Sequence, residues 1–122
     1  MSNAAVKIKT KKIESGVSGP QTLKLFSVRR IEKSCVLVSR ILKALSHPQR
    51  LLIMGHLLGG EKTVSQLVDL CDLSQSQMSQ FLTRMKSEGL VDCRREGKFQ
   101  YYQVADERLL HLMKAIQFQY CE

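Results

Sequence analysis

Acidic side chains are scarce in this chain. Eleven Asp and Glu stand against 19 Lys and Arg, a formal net charge of +8 over 122 residues. In a small domain that surplus points to a polyanionic partner, nucleic acid before membrane. Long apolar runs are missing too. None approaches the roughly 20 residues that span a bilayer, and the amino-terminal stretch has positive charge without the apolar centre of a secretory signal. No membrane partner is expected. The four cysteines, Cys35, Cys71, Cys93 and Cys121, share no Cys-x-x-Cys spacing. That argues against a zinc finger and against a disulfide framework, and a reducing cytoplasm is the simplest home. The chain also lacks a Ser/His/Asp or Cys/His set, a phosphate-binding glycine loop and paired acids, so an enzyme is not expected and no cofactor is implied. His47, His56 and His111 are scattered and read as structural residues, not metal ligands.

What remains is the composition of a soluble globular chain, 43% hydrophobic and 25% charged, long enough for one modest core. Residues 1–21 read as a flexible basic arm. Lys7, Lys9, Lys11 and Lys12 cluster there, ahead of Gly16, Gly19 and Pro20. Such a segment buries too little surface to offset its ordering entropy, but its cations can add non-specific affinity for phosphates. Residues 22–122 read as the folded domain. From Thr22 to Leu45, Val28, Ile31, Cys35, Val38, Leu42 and Leu45 recur three and four apart, the seam of a helix that packs on another helix. Ser46 can cap the next helix, with Pro48 in its first turn. That helix is apolar almost all round through Leu58, which marks it as the buried centre, and Gly59-Gly60 stops it. Glu61 to Val64 is a short extended piece. Thr63 or Ser65 then caps a two-turn helix ending near Cys71, and Asp72-Leu73-Ser74 turns into the next element.

That next element, Gln75 to Glu88, organises the rest. Ser74 and Gln77 form a capping box at its start, and Gly89 can take the left-handed conformation that closes it. Met78, Leu82 and Met85 make one apolar stripe. The opposite face carries Gln75, Ser76, Ser79, Gln80 and Thr83, with Arg84 beside them. Short polar side chains of this kind read base edges in a major groove, whereas an ordinary solvated face carries more Lys and Glu. Two short helices joined by a tight turn, the second polar outside, make a helix-turn-helix. After Gly89 the period changes to two. Val91 to Val104 reads as a β-hairpin turning at Glu96-Gly97, with Arg94, Arg95 and Lys98 at its tip and Gln100 beyond. Placed after a recognition helix, it is a wing whose cations meet phosphates or the adjacent minor groove. The expected DNA-binding set is therefore Gln75, Ser76, Gln77, Ser79, Gln80, Thr83 and Arg84 on the helix, with Arg94, Arg95, Lys98 and Gln100 on the hairpin. Asp106 to Tyr120 closes the chain as a helix with little left in the domain to pack on. It is expected to pair with the first long helix and with its own twin across a two-fold axis.

The expected fold is thus mainly α with a small β-hairpin, in the order α-α-β-α-α-β-β-α. It resembles the ArsR/SmtB family of winged helix-turn-helix repressors, and most of all its HlyU/BigR branch. The residues that carry the resemblance are Leu42-Lys43-Ala44-Leu45-Ser46-His47-Pro48-Gln49-Arg50-Leu51, Leu73 to Leu82, Gly89-Leu90-Val91, and Arg95-Glu96-Gly97-Lys98 with Tyr101-Tyr102. The resemblance implies a homodimer, joined through its first and last helices, that represses transcription from a palindromic operator on double-stranded DNA until an inducer is sensed. A winged-helix protein–protein adaptor is the rival class; its sign would be an apolar or acidic recognition face.

The family's inducer sites are matched only in part. One metal site places Cys-x-Cys before the recognition helix; here Cys71 matches the second position and Asp69 stands at the first. The other uses Asp-x-His and His-x-x-Glu on the last helix; here Arg108 follows Asp106, and Gln119 precedes Glu122. No metal site is expected, and a metal-responsive repressor would need an atypical one. Members of the HlyU/BigR branch sense reactive sulfur through a dithiol. Tyr120-Cys121 matches one thiol, and Gly55 sits where the other belongs. A thiol-reactive or sulfur-species signal would need Cys35 to substitute. The simpler reading makes Cys35 a seam residue and Cys121 a terminal thiol, and the inducer stays unknown.

Overall fold

The helical periods of the sequence become helices, and its period-two stretch becomes a sheet. The computed structural model describes residues 28–121; the basic arm and the expected helix start near Thr22 lie outside the described residues. In order come α1 (Val28–Leu45), α2 (Pro48–Leu57), β1 (Lys62–Thr63), α3 (Val64–Cys71), α4 (Gln75–Ser87), β2 (Val91–Glu96), β3 (Phe99–Val104) and α5 (Glu107–Tyr120). The chain divides into residues 1–36 and 37–122. In the first unit the described turns of α1 leave Val28, Ile31 and Val36 exposed. The second unit holds the end of α1 and everything after it.

Local chemistry sets the boundaries. His47, not Ser46, caps α2: its Nδ1 accepts from the Gln49 amide at 3.1 Å, with Pro48 opening the first turn. Thr63 caps α3 through a capping box with Gln66, at 3.2 and 2.9 Å. The strand before α3 is only Lys62–Thr63, so Val64 is already helical. Between α3 and α4, Asp72 adopts φ 54°, a left-handed geometry that Asp tolerates better than most residues. The Ser74–Gln77 box opens α4, with Ser74 Oγ accepting from Gln77 N at 3.1 Å and Gln77 Oε1 accepting from Ser74 N at 3.0 Å. Gly89, at φ +80°, closes it. There the Leu90 amide donates to the Met85 carbonyl at 2.9 Å and the Gly89 amide to Lys86 at 3.1 Å, the paired bonds of a Schellman end.

The sheet is antiparallel in the order β1-β3-β2. Its β2–β3 register pairs Val91 with Val104 and Glu96 with Phe99. The core gathers Ile53, Met54 and Leu57 of α2, Leu67 and Cys71 of α3, and Met78, Leu82 and Met85 of α4. Leu90, Val91, Tyr102, Leu109 and Met113 complete it with Ala44 and Leu45. Each large aliphatic side chain buried there contributes about 1.5–3 kcal/mol. Two expectations change. The second helix is buried along one side only: Leu51 and Leu52 remain 36% and 42% exposed, because the core meets α2 on the Ile53–Met54–Leu57 side. The last helix does find partners within the unit, since Leu109 and Met113 are buried and Leu112 and Ile116 pack beside them. Of its large apolar side chains, Phe118 and Tyr120 near its end stand out in the open.

Candidate nucleic-acid interface

The stripe Met78–Leu82–Met85 is fully buried, and that fixes the rotation of α4. The opposite side has to face outward. Gln75, Ser76, Ser79, Gln80, Thr83 and Arg84 are all exposed. The side chains of Ser76, Ser79, Gln80 and Thr83 have no hydrogen-bond partner among the described residues, so their donors and acceptors are available to a ligand. Gln77 differs. Its Oε1 is engaged in the cap, which holds that side chain at the helix start and leaves only its NH₂ group to donate.

Strand alternation sorts the hairpin residues. Cys93 pairs with Tyr102 and Arg95 with Gln100 on one face; Arg94 pairs with Tyr101 and Glu96 with Phe99 on the other. The first face continues into the core through Tyr102, whose phenol burial pushes above the usual tyrosine range. At its outer end, Arg95, Lys98 and Gln100 line a groove of about 260 Å³ together with Gln75 and with Thr63 and Ser65 at the start of α3. Recognition helix, first helix of the turn and wing therefore meet in one cationic groove. From sequence, Thr63 and Ser65 read only as caps. In helix-turn-helix motifs generally, the first helix crosses the DNA backbone.

The neighbouring arginine is occupied otherwise. Arg94 Nε donates to Glu61 Oε2 at 2.8 Å and Nη1 to Glu96 Oε2 at 2.7 Å. Its guanidinium also lies 4.6 Å from the Tyr101 ring centre. The Arg94 hydrogen bonds hold the Glu61 carboxyl below the usual carboxylate range. Two carboxylates thus neutralise Arg94 and tie the wing to the segment before β1.

The four thiols differ in burial. Cys71 is buried, and that burial raises its pKa. Cys93 is half-buried, and Cys35 and Cys121 are exposed. A Cβ built at Gly55 would meet nothing within 4 Å. Among the described residues no group of three His, Cys, Asp or Glu is placed to hold a metal ion, and no helix is long and apolar enough to cross a membrane.

The model of the family described as bacterial regulatory protein, arsR family, matches residues 47–92. Those residues run from the α2 cap into β2, across the whole helix-turn-helix. The biofilm growth-associated repressor of Agrobacterium fabrum is 35% identical over 91 residues, covering 75% of this chain and 78% of that protein. The chain belongs to the arsR family of bacterial regulatory proteins. It is a DNA-binding transcriptional regulator with a winged helix-turn-helix fold. Among solved structures, the transcriptional repressor BigR from Xylella fastidiosa superposes with a TM-score of 0.74 at 30% identity, covering 79% of this chain and 98% of BigR. The homodimeric winged helix-turn-helix DNA-binding domain of Mb0332 from Mycobacterium bovis superposes with a TM-score of 0.65 at 36% identity, over 70% of this chain and 82% of that one. In this arsR-family chain α4 lies wholly within the matched stretch, and its outward face is the polar one.

Proposed function

We propose that the chain is a repressor that binds a palindromic operator as a homodimer, with α4 of each subunit in a major groove. Gln75, Ser76, Ser79, Gln80 and Thr83 meet base edges, and the Gln77 amide donates beside them. Arg84, Arg95, Lys98 and Gln100 hold the flanking phosphates, and the Lys-rich arm of residues 1–21 adds non-specific affinity. The wing tip enters the adjacent minor groove. Arg94 acts through the wing, which it braces. The observation that carries this reading is the exposed face of α4, polar, almost uncharged and without intramolecular partners.

The pairing surface is α1 with α5. Leu37, Val38 and Leu42 on α1 are about half exposed, and Phe118 and Tyr120 on α5 are 84% and 78% exposed. Side chains of that size in the open mark a partner surface. Two-fold pairing sets the recognition helices one DNA turn apart, roughly 34 Å. The chain acts by binding, not catalysis, in the cytoplasm. Selecting duplexes from a random pool on the purified chain tests the proposal: inverted half-sites about 10 base pairs apart are expected, and an asymmetric or random yield would contradict it. The inducer belongs to the same proposal. Cys35 and Cys121 are the exposed thiols, so release by persulfide or peroxide is the expected response of the reduced complex.

A further inference from the structure

On the flank of α4 away from the wing lies a second, larger cleft of about 710 Å³. Its walls are the last turns of α1, the Ser46–His47 corner and one side of α4. Residues advance about 100° each around a helix, so α4 divides lengthwise. Gln75 lies toward the wing groove. Ser76, Ser79, Gln80 and Thr83 form the middle. Phe81, Arg84 and Glu88 form the far flank, which lines the cleft with Gln80. A helix in a major groove lies between two phosphate backbones about 12 Å apart. The wing groove serves one of them.

We propose that this cleft is a phosphate site, built by Arg40, Lys43 and Arg84, that seats the second backbone of the operator. The proposal rests on the reading of α4 as the helix that enters the groove. Arg40 and Lys43 are three apart on α1 and so share a side of it. Arg40, Lys43 and Arg84 are exposed; none makes a salt bridge among the described residues, although Arg84 is near enough to Glu88 to help lower its pKa. One carboxylate borders the cleft, Glu88, and it is already neutralised: Arg50 grips it through Nη1 at 2.6 Å and Nη2 at 3.2 Å. The cleft therefore keeps a surplus of positive charge. His47 and Phe81 wall it with tilted rings 5.3 Å apart. Because His47 Nδ1 accepts from the Gln49 amide, the imidazole proton sits on Nε2 and adds a donor. The volume exceeds what one phosphate fills and suits a length of sugar–phosphate chain. Gln80 and Arg84 border both the cleft and the base-reading face, so a phosphate held here sets the register of the helix over the bases.

The test compares the full chain with its Arg40→Gln/Lys43→Gln variant. Both positions are exposed on a helix, and thermal unfolding verifies that the variant folds. Affinity is measured against salt for a selected duplex and a random one. Each phosphate that is no longer neutralised flattens the log–log slope by about 0.9, so a change close to two is expected on both duplexes, with their affinity ratio preserved. A second arm titrates the DNA-free chain with inorganic phosphate and follows the amide resonances of His47 and Arg84. No saturable shift, together with the flatter slope, assigns the site to the DNA backbone. A saturable shift that the variant loses, with the slope unchanged, would make the cleft a free-anion site and overturn its assignment to the operator backbone. An unchanged slope and no shift would overturn the proposal. If the wild-type chain ignored every duplex, the reading of α4 would fall and the backbone seat with it, whereas duplex binding with an unchanged slope would overturn the cleft alone.

Discussion

Arg50 and Glu88 join the start of α2 to the end of α4. The guanidinium holds the carboxylate at both oxygens, at 2.6 and 3.2 Å, and the same Nη1 donates to the Ala44 carbonyl at 2.9 Å. One side chain, 12% exposed, thereby ties the end of α1, the entry of α2 and the C-terminal cap of α4. The Arg50 hydrogen bond holds the Glu88 carboxyl below the usual carboxylate range. A lowered folded-state pKa means stability that is present above the unfolded pKa and lost as pH falls through the folded one. Glu88→Gln is therefore expected to be less stable than wild type at neutral pH, by about 1 kcal/mol once solvent screening of this partly exposed pair is allowed for. The gap should close below the ordinary carboxylate pKa. Denaturant unfolding at several pH values checks this, and a gap independent of pH would show that the ion pair contributes nothing.

Gln80→Ala should weaken binding to the selected operator by about 1–3 kcal/mol and leave random duplex unaffected. Gln80 is exposed at the middle of the polar face, with no intramolecular partner to lose. Fluorescence anisotropy on both duplexes reads the difference.

The adjacent arginines of the wing should behave differently. Arg95 lines the groove toward Gln75, and Arg94 is held by Glu61 and Glu96. Arg95→Gln or Lys98→Gln should weaken all sequences alike and flatten the salt slope by about 0.9. Arg94→Gln should leave that slope nearly unchanged and loosen the hairpin instead, which amide hydrogen exchange in β2 and β3 would register. Equal salt effects from Arg94 and Arg95 would contradict the division of roles.

That division marks the limit of what the sequence can show. Both arginines sit in one charged run, and their sorting needs the strand register together with Glu61, 33 residues away. The recognition helix is legible because its signals are local: a capping box, an apolar stripe and a closing glycine within one short stretch. The hairpin is legible for the same reason. The cap of α2 shifts by one residue because His47 is a less familiar cap than Ser46, and its Nδ1 accepts the same kind of bond. Burial of α2 is narrower than its composition suggests, since a helix apolar all round looks central even when Leu51 and Leu52 stay in the open. The cleft beside Arg40 and Lys43 is invisible in the sequence, because its walls come from three segments that only the fold brings together.

Leu82→Ala tests the platform under the recognition face. Leu82 is fully buried, and such truncations cost about 2–5 kcal/mol. Affinity for operator should fall only as far as the folded fraction does. A large loss of affinity with unfolding unchanged would mean that Leu82 touches the ligand and that α4 is rotated from the orientation described.

The most direct measurement is the ratio of affinities for a selected operator and a shuffled duplex of equal length, taken for wild type and Gln80→Ala at one salt concentration. Wild type should favour the operator strongly, and the variant should lose about 5-fold or more of that preference while holding the shuffled duplex as tightly. An identical ratio in the two proteins, or no binding to any duplex in dilute buffer, would contradict the assignment of the outward face of α4 to base recognition.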